Sequence, residues 1–135
     1  MTRPFLLGLL LALACTAQTY KIRLAPVAMD LAMRENIEGS GTVNATLAGT
    51  RLTIDGMFAG LTSNATIASI HQGSAAGVRG PKLLGLTVTK AASGILTGSF
   101  ELTPDQLDAF KKGKWYVQIH SEKAPDGNLW GWLVK

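Results

Sequence analysis

From Tyr20 onward, apolar residues recur at every second position in short runs, and glycine, proline or asparagine closes nearly every run within a few residues. Period two is the repeat of a β-strand, whose successive side chains point to opposite faces, and runs this short leave no room for amphipathic helices of ordinary length. The runs that read as strands are Tyr20 to Leu24, Thr42 to Leu47, Arg51 to Phe58, Thr66 to His71, Lys82 to Thr89, Gly94 to Leu102, Trp115 to His120 and Leu129 to Val134. Gly49-Thr50 and Ala91-Ala92-Ser93-Gly94 suit tight turns between them. Ala28 to Glu38 reads as irregular: Met29, Leu31 and Met33 alternate like a strand, whereas Asp30, Ala32, Arg34 and Glu35 suit a short helix equally well.

One helix is signalled after Leu102. Thr103 can cap it, Pro104 fits its first position, Gln106 completes a capping box, Leu107 and Phe110 form an apolar stripe, and Gly113 ends it. A helix this short is unstable alone and must pack on a sheet. Many short strands, one brief helix and frequent glycines predict an antiparallel all-β sandwich or barrel.

The 135 residues make one domain with a core of its own. The net charge of +4 is scattered, and its densest group, Lys111, Lys112 and Lys114, has no interleaved aromatics, so no nucleic-acid partner is expected. Arg3, the apolar run Phe5 to Ala14, and the small residues Ala14 and Ala17 read as an export signal. Cleavage after Ala17 gives a signal peptide of residues 1–17 and a domain of 18–135. Cleavage after Ala14 leaves Cys15 for lipid attachment, because Ala12-Leu13-Ala14-Cys15 is similar to a lipoprotein box. Either scheme places the domain in the periplasm or outside the cell. Cys15 is the only cysteine, so the domain is held by packing and not by disulfides.

The chemistry-bearing residues fall in a pattern that occurs twice. Ser69-Ile70-His71 runs into a loop with Gly73, Gly77, Gly80 and Pro81, and Gln118-Ile119-His120 runs into one with Pro125, Asp126 and Gly127. These are the only two histidines, and both stand where a strand passes into a loop. If the two strands are neighbours, the imidazoles converge. As metal ligands, His71 and His120 suit copper or zinc, with Gln118, Glu122 and Asp126 nearby in sequence and Met29, Met33 and Met57 as soft candidates. In the alternative, each histidine hydrogen-bonds loop backbone and fastens strand to loop, and the glycines allow the close approach. A metal site predicts rings within about 4 Å of each other, since both must reach one ion at about 2 Å, whereas rings pointing into separate loops favour the fasteners.

Those segments, with Gly98-Ser99-Phe100 and Asn128-Leu129-Trp130-Gly131-Trp132-Leu133, resemble the CHRD domain, named after chordin, over roughly Tyr20 to Leu133. The resemblance implies a Greek-key β barrel or sandwich similar in outline to copper/zinc superoxide dismutase. It also implies an exported module, since the family occurs as repeats in an extracellular growth-factor antagonist and as single domains in bacteria. Two departures stand out. Ser69 occupies a place where the family usually has a further histidine, and Asn128 and Trp130 stand where it usually has glutamate and arginine.

Dismutase chemistry is not expected, because about six histidines and an aspartate are needed to hold its two metals. Nor is hydrolysis, since Ser69 and His71 lie side by side on a strand with no orienting acid in view. Trp115, Tyr116, Trp130 and Trp132 cluster in the last two strands, either as core or as an aromatic strip with Arg79 and Lys123 at its rim and Trp115 as a strand partner. The expectation is therefore a non-enzymatic binding or structural module without a catalytic residue. Its partner would be an envelope or extracellular protein or glycan. The runner-up is a periplasmic copper protein using His71 and His120. The oligomeric state is left open.

Overall fold

The computed structural model describes residues 17–27 and 31–135, with 31–33 described by backbone alone. The expected export segment with Cys15, the side chain of Met33, and Met29 lie outside the described residues. Eight strands are present: β1 (Gln18–Pro26), β2 (Ser40–Ala48), β3 (Arg51–Ala59), β4 (Ala65–Gln72), β5 (Lys82–Val88), β6 (Gly94–Glu101), β7 (Trp115–Ser121) and β8 (Leu129–Trp132). Each of the eight runs read as a strand from the sequence corresponds to one of these strands. In the ambiguous stretch the described residues contain a 3-10 helix, Leu31–Asn36.

The strands close into an antiparallel barrel in the order β1-β2-β3-β6-β5-β4-β7-β8, and β8 returns to β1. Strands β4, β5 and β6 are sequential neighbours, while β7 returns beside β4, which is Greek-key connectivity. Alternation decides which residues face inward. On β3, Leu52, Ile54 and Phe58 are buried while Arg51, Thr53, Asp55 and Met57 are exposed. Inward side chains such as Leu24, Val43, Ile54, Ile70, Leu96 and Ile119 fill the barrel. Each stabilises the fold by about 1.5–3 kcal/mol through removal from water.

Helix α1 (Pro104–Lys111) closes one end. The Thr103 hydroxyl accepts the Gln106 N–H at 3.2 Å and Gln106 Oε1 accepts the Thr103 N–H at 3.0 Å, the expected capping box. Gly113, at φ 74°, ends the turn after it. The helix delivers Phe110 edge-on against Trp115, with ring centres 5.7 Å apart, and against Tyr20 at 5.1 Å. Two junctions of the barrel are thin. Strands β5 and β6 share only the pairs Thr87 with Thr97 and Val88 with Leu96, and β1 and β8 only Ala25 with Trp130 and Pro26 with Leu129.

Candidate functional site: a covered histidine pair and an aromatic wing

Strand β7 breaks the alternation. Six of its seven residues are buried and only His120 is partly exposed. Trp115, Val117 and Ile119 face the core. Tyr116, Gln118 and His120 face out, so something must cover the outer surface there. The covers are the two glycine loops. In 73–81, a Cβ on Gly73 would sit 1.7 Å from the Val78 carbonyl oxygen and one on Gly80 1.8 Å from that of Gln72, so only glycine lets the loop lie this close. In the loop after Ser121, Gly127 at φ 133° rests on the Gln118 side chain, where a Cβ would stand 3.0 Å from Cδ. Asn128 anchors this loop: Oδ1 accepts the Ser121 hydroxyl at 2.8 Å and Nδ2 donates to the Glu38 carbonyl at 2.9 Å.

Strands β4 and β7 are neighbours, so the histidines do share one surface. The register pairs Ser69 with Gln118, His71 with Tyr116 and Ile67 with His120. The two imidazoles thus lie on a diagonal, with the Ser69–Gln118 pair between them and ring centres 6.1 Å apart. Each sits at an irregularity in pairing. The β4–β5 register shifts between Ile70 and His71, and the β4–β7 register shifts between Ala65 and Ile67, opposite His120. Bulges of this kind re-aim side chains.

The hydrogen bonds fix the tautomers. His71 Nδ1 is 3.0 Å from the Gly80 carbonyl oxygen and His120 Nδ1 is 2.8 Å from that of Pro125. A carbonyl only accepts, so both Nδ1 atoms carry the proton and each neutral ring has a bare Nε2. His71 Nε2 then accepts from the Ser69 hydroxyl at 3.1 Å, and His120 Nε2 accepts from the Gln118 amide nitrogen at 3.2 Å. That requirement orients the Gln118 amide and leaves its Oε1 buried without a hydrogen-bond partner. Buried polar atoms are rarely left so. The loop-fastening geometry is therefore present at both rings: each Nδ1 holds a separate loop, while each Nε2 accepts from the residue two positions before it on its own strand.

Burial holds the His71 pKa below the usual imidazole value. The Gly80 hydrogen bond opposes this, and His120, Lys82 and Arg79 add to the lowering. The charged form is disfavoured because the ring is partly out of water and its charged neighbours are cations.

Beside the pair lies an aromatic wing. Trp130 and Trp132 of β8 face outward and stay partly exposed, with Gly131 buried on the other side. The cross-strand partner of Trp132 is Tyr116, with ring centres 4.6 Å apart, and not Trp115, which is in the core. Tyr116 also stacks on His71 at 5.0 Å, accepts the Gly80 N–H at 3.1 Å and donates to the Gly80 carbonyl at 3.0 Å. Arg79 lies over the Trp130 ring, 4.7 Å from its centre, in cation–π geometry.

Other candidate ligands are not gathered here. Met57 is exposed on β3, away from β4 and β7 in the barrel order, and among the described residues no group of three or more histidine, cysteine or carboxylate side chains converges. Sequence reasoning named Gln118 as a possible addition and paired Ser69 with His71. That loop backbone would hold each ring was expected; which carbonyls do so, Gly80 and Pro125, was not, because any residue could supply them.

A closed Greek-key barrel with an outer site built from loop-fastened strand ends is thus the class of protein in hand. The chain matches the family model described as CHRD domain over residues 28–133, and it belongs to that family. No curated protein and no solved structure gives a significant match.

Proposed function

We propose that the chain is an exported, non-enzymatic binding module whose contact surface is the outer face of β7 and β8 with Arg79 of the covering loop. The observation that carries this reading is the aromatic wing. Trp130 and Trp132 stay partly exposed on a face otherwise roofed by glycine loops, are braced by Tyr116, and have a guanidinium stacked at their edge. Tryptophan and arginine in a supported cluster are the residues that dominate binding hot spots. The partner that suits them is an envelope or extracellular protein, or a glycan whose C–H faces stack on indole.

Two observations favour binding over catalysis. Ser69 and His71 form a hydrogen-bonded pair, but the hydroxyl belongs to a residue only 1 % exposed, so no substrate reaches it. The group orienting His71 is the neutral Gly80 carbonyl, which stabilises an imidazolium far less than a carboxylate does.

The test is direct. Binding of the immobilised protein to a panel of envelope polysaccharides and exported surface proteins is measured beside an Arg79→Ala, Trp132→Ala variant checked to be folded. Saturable binding lost in the variant supports the reading, whereas equal binding by both proteins, or none, removes it. A second reading, metal handling, is favoured by one feature only: the two histidine rings share the outer face of β4 and β7, with centres 6.1 Å apart.

A further inference from the structure

Between β4 and β7 the hydrogen-bonding account does not balance. Around the Ser69–Gln118 pair stand four acceptors: His71 Nε2, His120 Nε2, Ser69 Oγ and Gln118 Oε1. The donor hydrogens among the same groups are three, one on the Ser69 hydroxyl and two on the Gln118 amide nitrogen. Gln118 is only 3 % exposed, and its Oε1 has no partner at all. A buried cluster with a surplus lone pair is completed by whatever supplies positive charge to it, a hydrogen-bond donor or a metal ion.

The rings are already set for such a species. Both hold the Nδ1 proton on a backbone carbonyl, a contact that fixes the tautomer and orientation of a metal-binding imidazole. A nitrogen–metal bond of about 2 Å, added to the roughly 1 Å from ring centre to nitrogen, puts two imidazoles on one ion at about 5–6 Å centre to centre. The observed separation is 6.1 Å. Both histidines are partly exposed, so an ion in solution can reach the rings.

We infer that His71 Nε2 and His120 Nε2 form a site for one cuprous ion, with the Gln118 amide as the third donor. Turning the amide end for end brings its oxygen to the place now held by the nitrogen, 3.2 Å from His120 Nε2. The charge of the surroundings selects the ion. Among the described residues no cysteine or cluster of carboxylates is gathered here, and the charged neighbours of His71 are Arg79 and Lys82. A dication held by neutral ligands meets twice the repulsion from those cations that a monocation does, and divalent zinc normally demands three or four strong ligands. Copper suits imidazole donors. No proton is displaced on binding, because both Nε2 atoms are bare beforehand. The site does not depend on the partner-binding reading, since none of its three donors belongs to the aromatic wing of Trp130 and Trp132.

The experiment is an anaerobic competition titration of the full chain, carrying Cys15→Ser to remove its only thiol, against a chromophoric cuprous chelator. Histidine 15N resonances are recorded in parallel. One equivalent of copper is expected, with the Nε2 signals of both rings shifting while their Nδ1 protons stay bonded. His71→Asn and His120→Asn are the informative variants: asparagine keeps an N–H near the Nδ1 position, and so the loop contact, but has no Nε2. Both are expected to stay folded by near-ultraviolet circular dichroism and to lose the copper. Gln118→Leu is expected to weaken it by about 10–100-fold, the usual effect of removing a supporting donor. Trp130→Ala is expected to retain it, which separates this site from the aromatic wing. Absence of competition by the parent, stoichiometric copper in the double asparagine variant, or perturbed Nδ1 in place of Nε2 would each overturn the inference. So would a preference for zinc over cuprous ion.

Discussion

The outer faces of β3 and β7 are made from the same kind of strand and have opposite fates. On β3 the outward residues Arg51, Thr53, Asp55 and Met57 are in water. On β7 the outward residues Tyr116 and Gln118 are as buried as the core residues beside them. Inside the barrel the two strands do the same work, so the difference comes from what lies on top. Among the described residues nothing covers the outer face of β3, whereas two glycine loops are drawn onto β7 by Tyr116, His71, His120 and Asn128. A strand buried on both faces in a barrel this small means that polar groups were taken out of water for a reason other than filling the core.

The contrast can be broken most sharply at the loop. Gly73→Ala forces a Cβ against the Val78 carbonyl and is expected to cost about 3 kcal/mol or more, read as a lower urea midpoint. Gly49→Ala, in the β2–β3 turn, meets no atom within 4 Å and carries only the strain of φ 65°, about 1 kcal/mol. If the two substitutions cost the same, the loop does not lie as tightly as described. Next in size is Tyr116→Phe, which strips the Gly80 N–H of its acceptor inside the cover and is expected to cost about 1–3 kcal/mol. Loss of protection of the Gly80 amide in hydrogen exchange would localise the effect.

A smaller effect is expected from pH in the metal-free protein. The folded pKa of His71 lies below its unfolded value, so as pH falls below about 6.5 the unfolded chain binds a proton that the native chain does not. Stability is therefore full above that value and declines as pH falls toward the folded pKa. Denaturation midpoints of the parent and His71→Asn should converge across this window, and a parent whose stability instead rises on acidification contradicts the burial of the ring. Least of all should change on β3: Met57→Ala is expected to stay within about 0.5 kcal/mol by the same measurement.

The eight strands were legible because alternation is a local property, and so was the helix, whose cap, first turn and stop occupy adjacent residues. The site was half legible. His71 and His120 stood out as strand-end residues, but their distance depends on β7 returning beside β4, and their offset depends on a register that joins residues about fifty apart in the chain. Trp115 and Tyr116 show the same limit. Both read as large rings on one strand, and one register step decides which of them meets Trp132. The direction of the Gln118 amide was beyond reach, because it follows from a carbonyl on Pro125 that has no side-chain signature.

The two thin junctions of the barrel, between β5 and β6 and between β1 and β8, have a mechanical consequence. With only two residue pairs at each, they are the lines along which the wall can breathe, and amide exchange should run ahead there of the long β2–β3 and β4–β7 ladders. His71, His120, Gln118, Tyr116 and both outward indoles all lie on the panel between those lines. The barrel can flex like a hinged case while the spacing of its donors and rings stays constant.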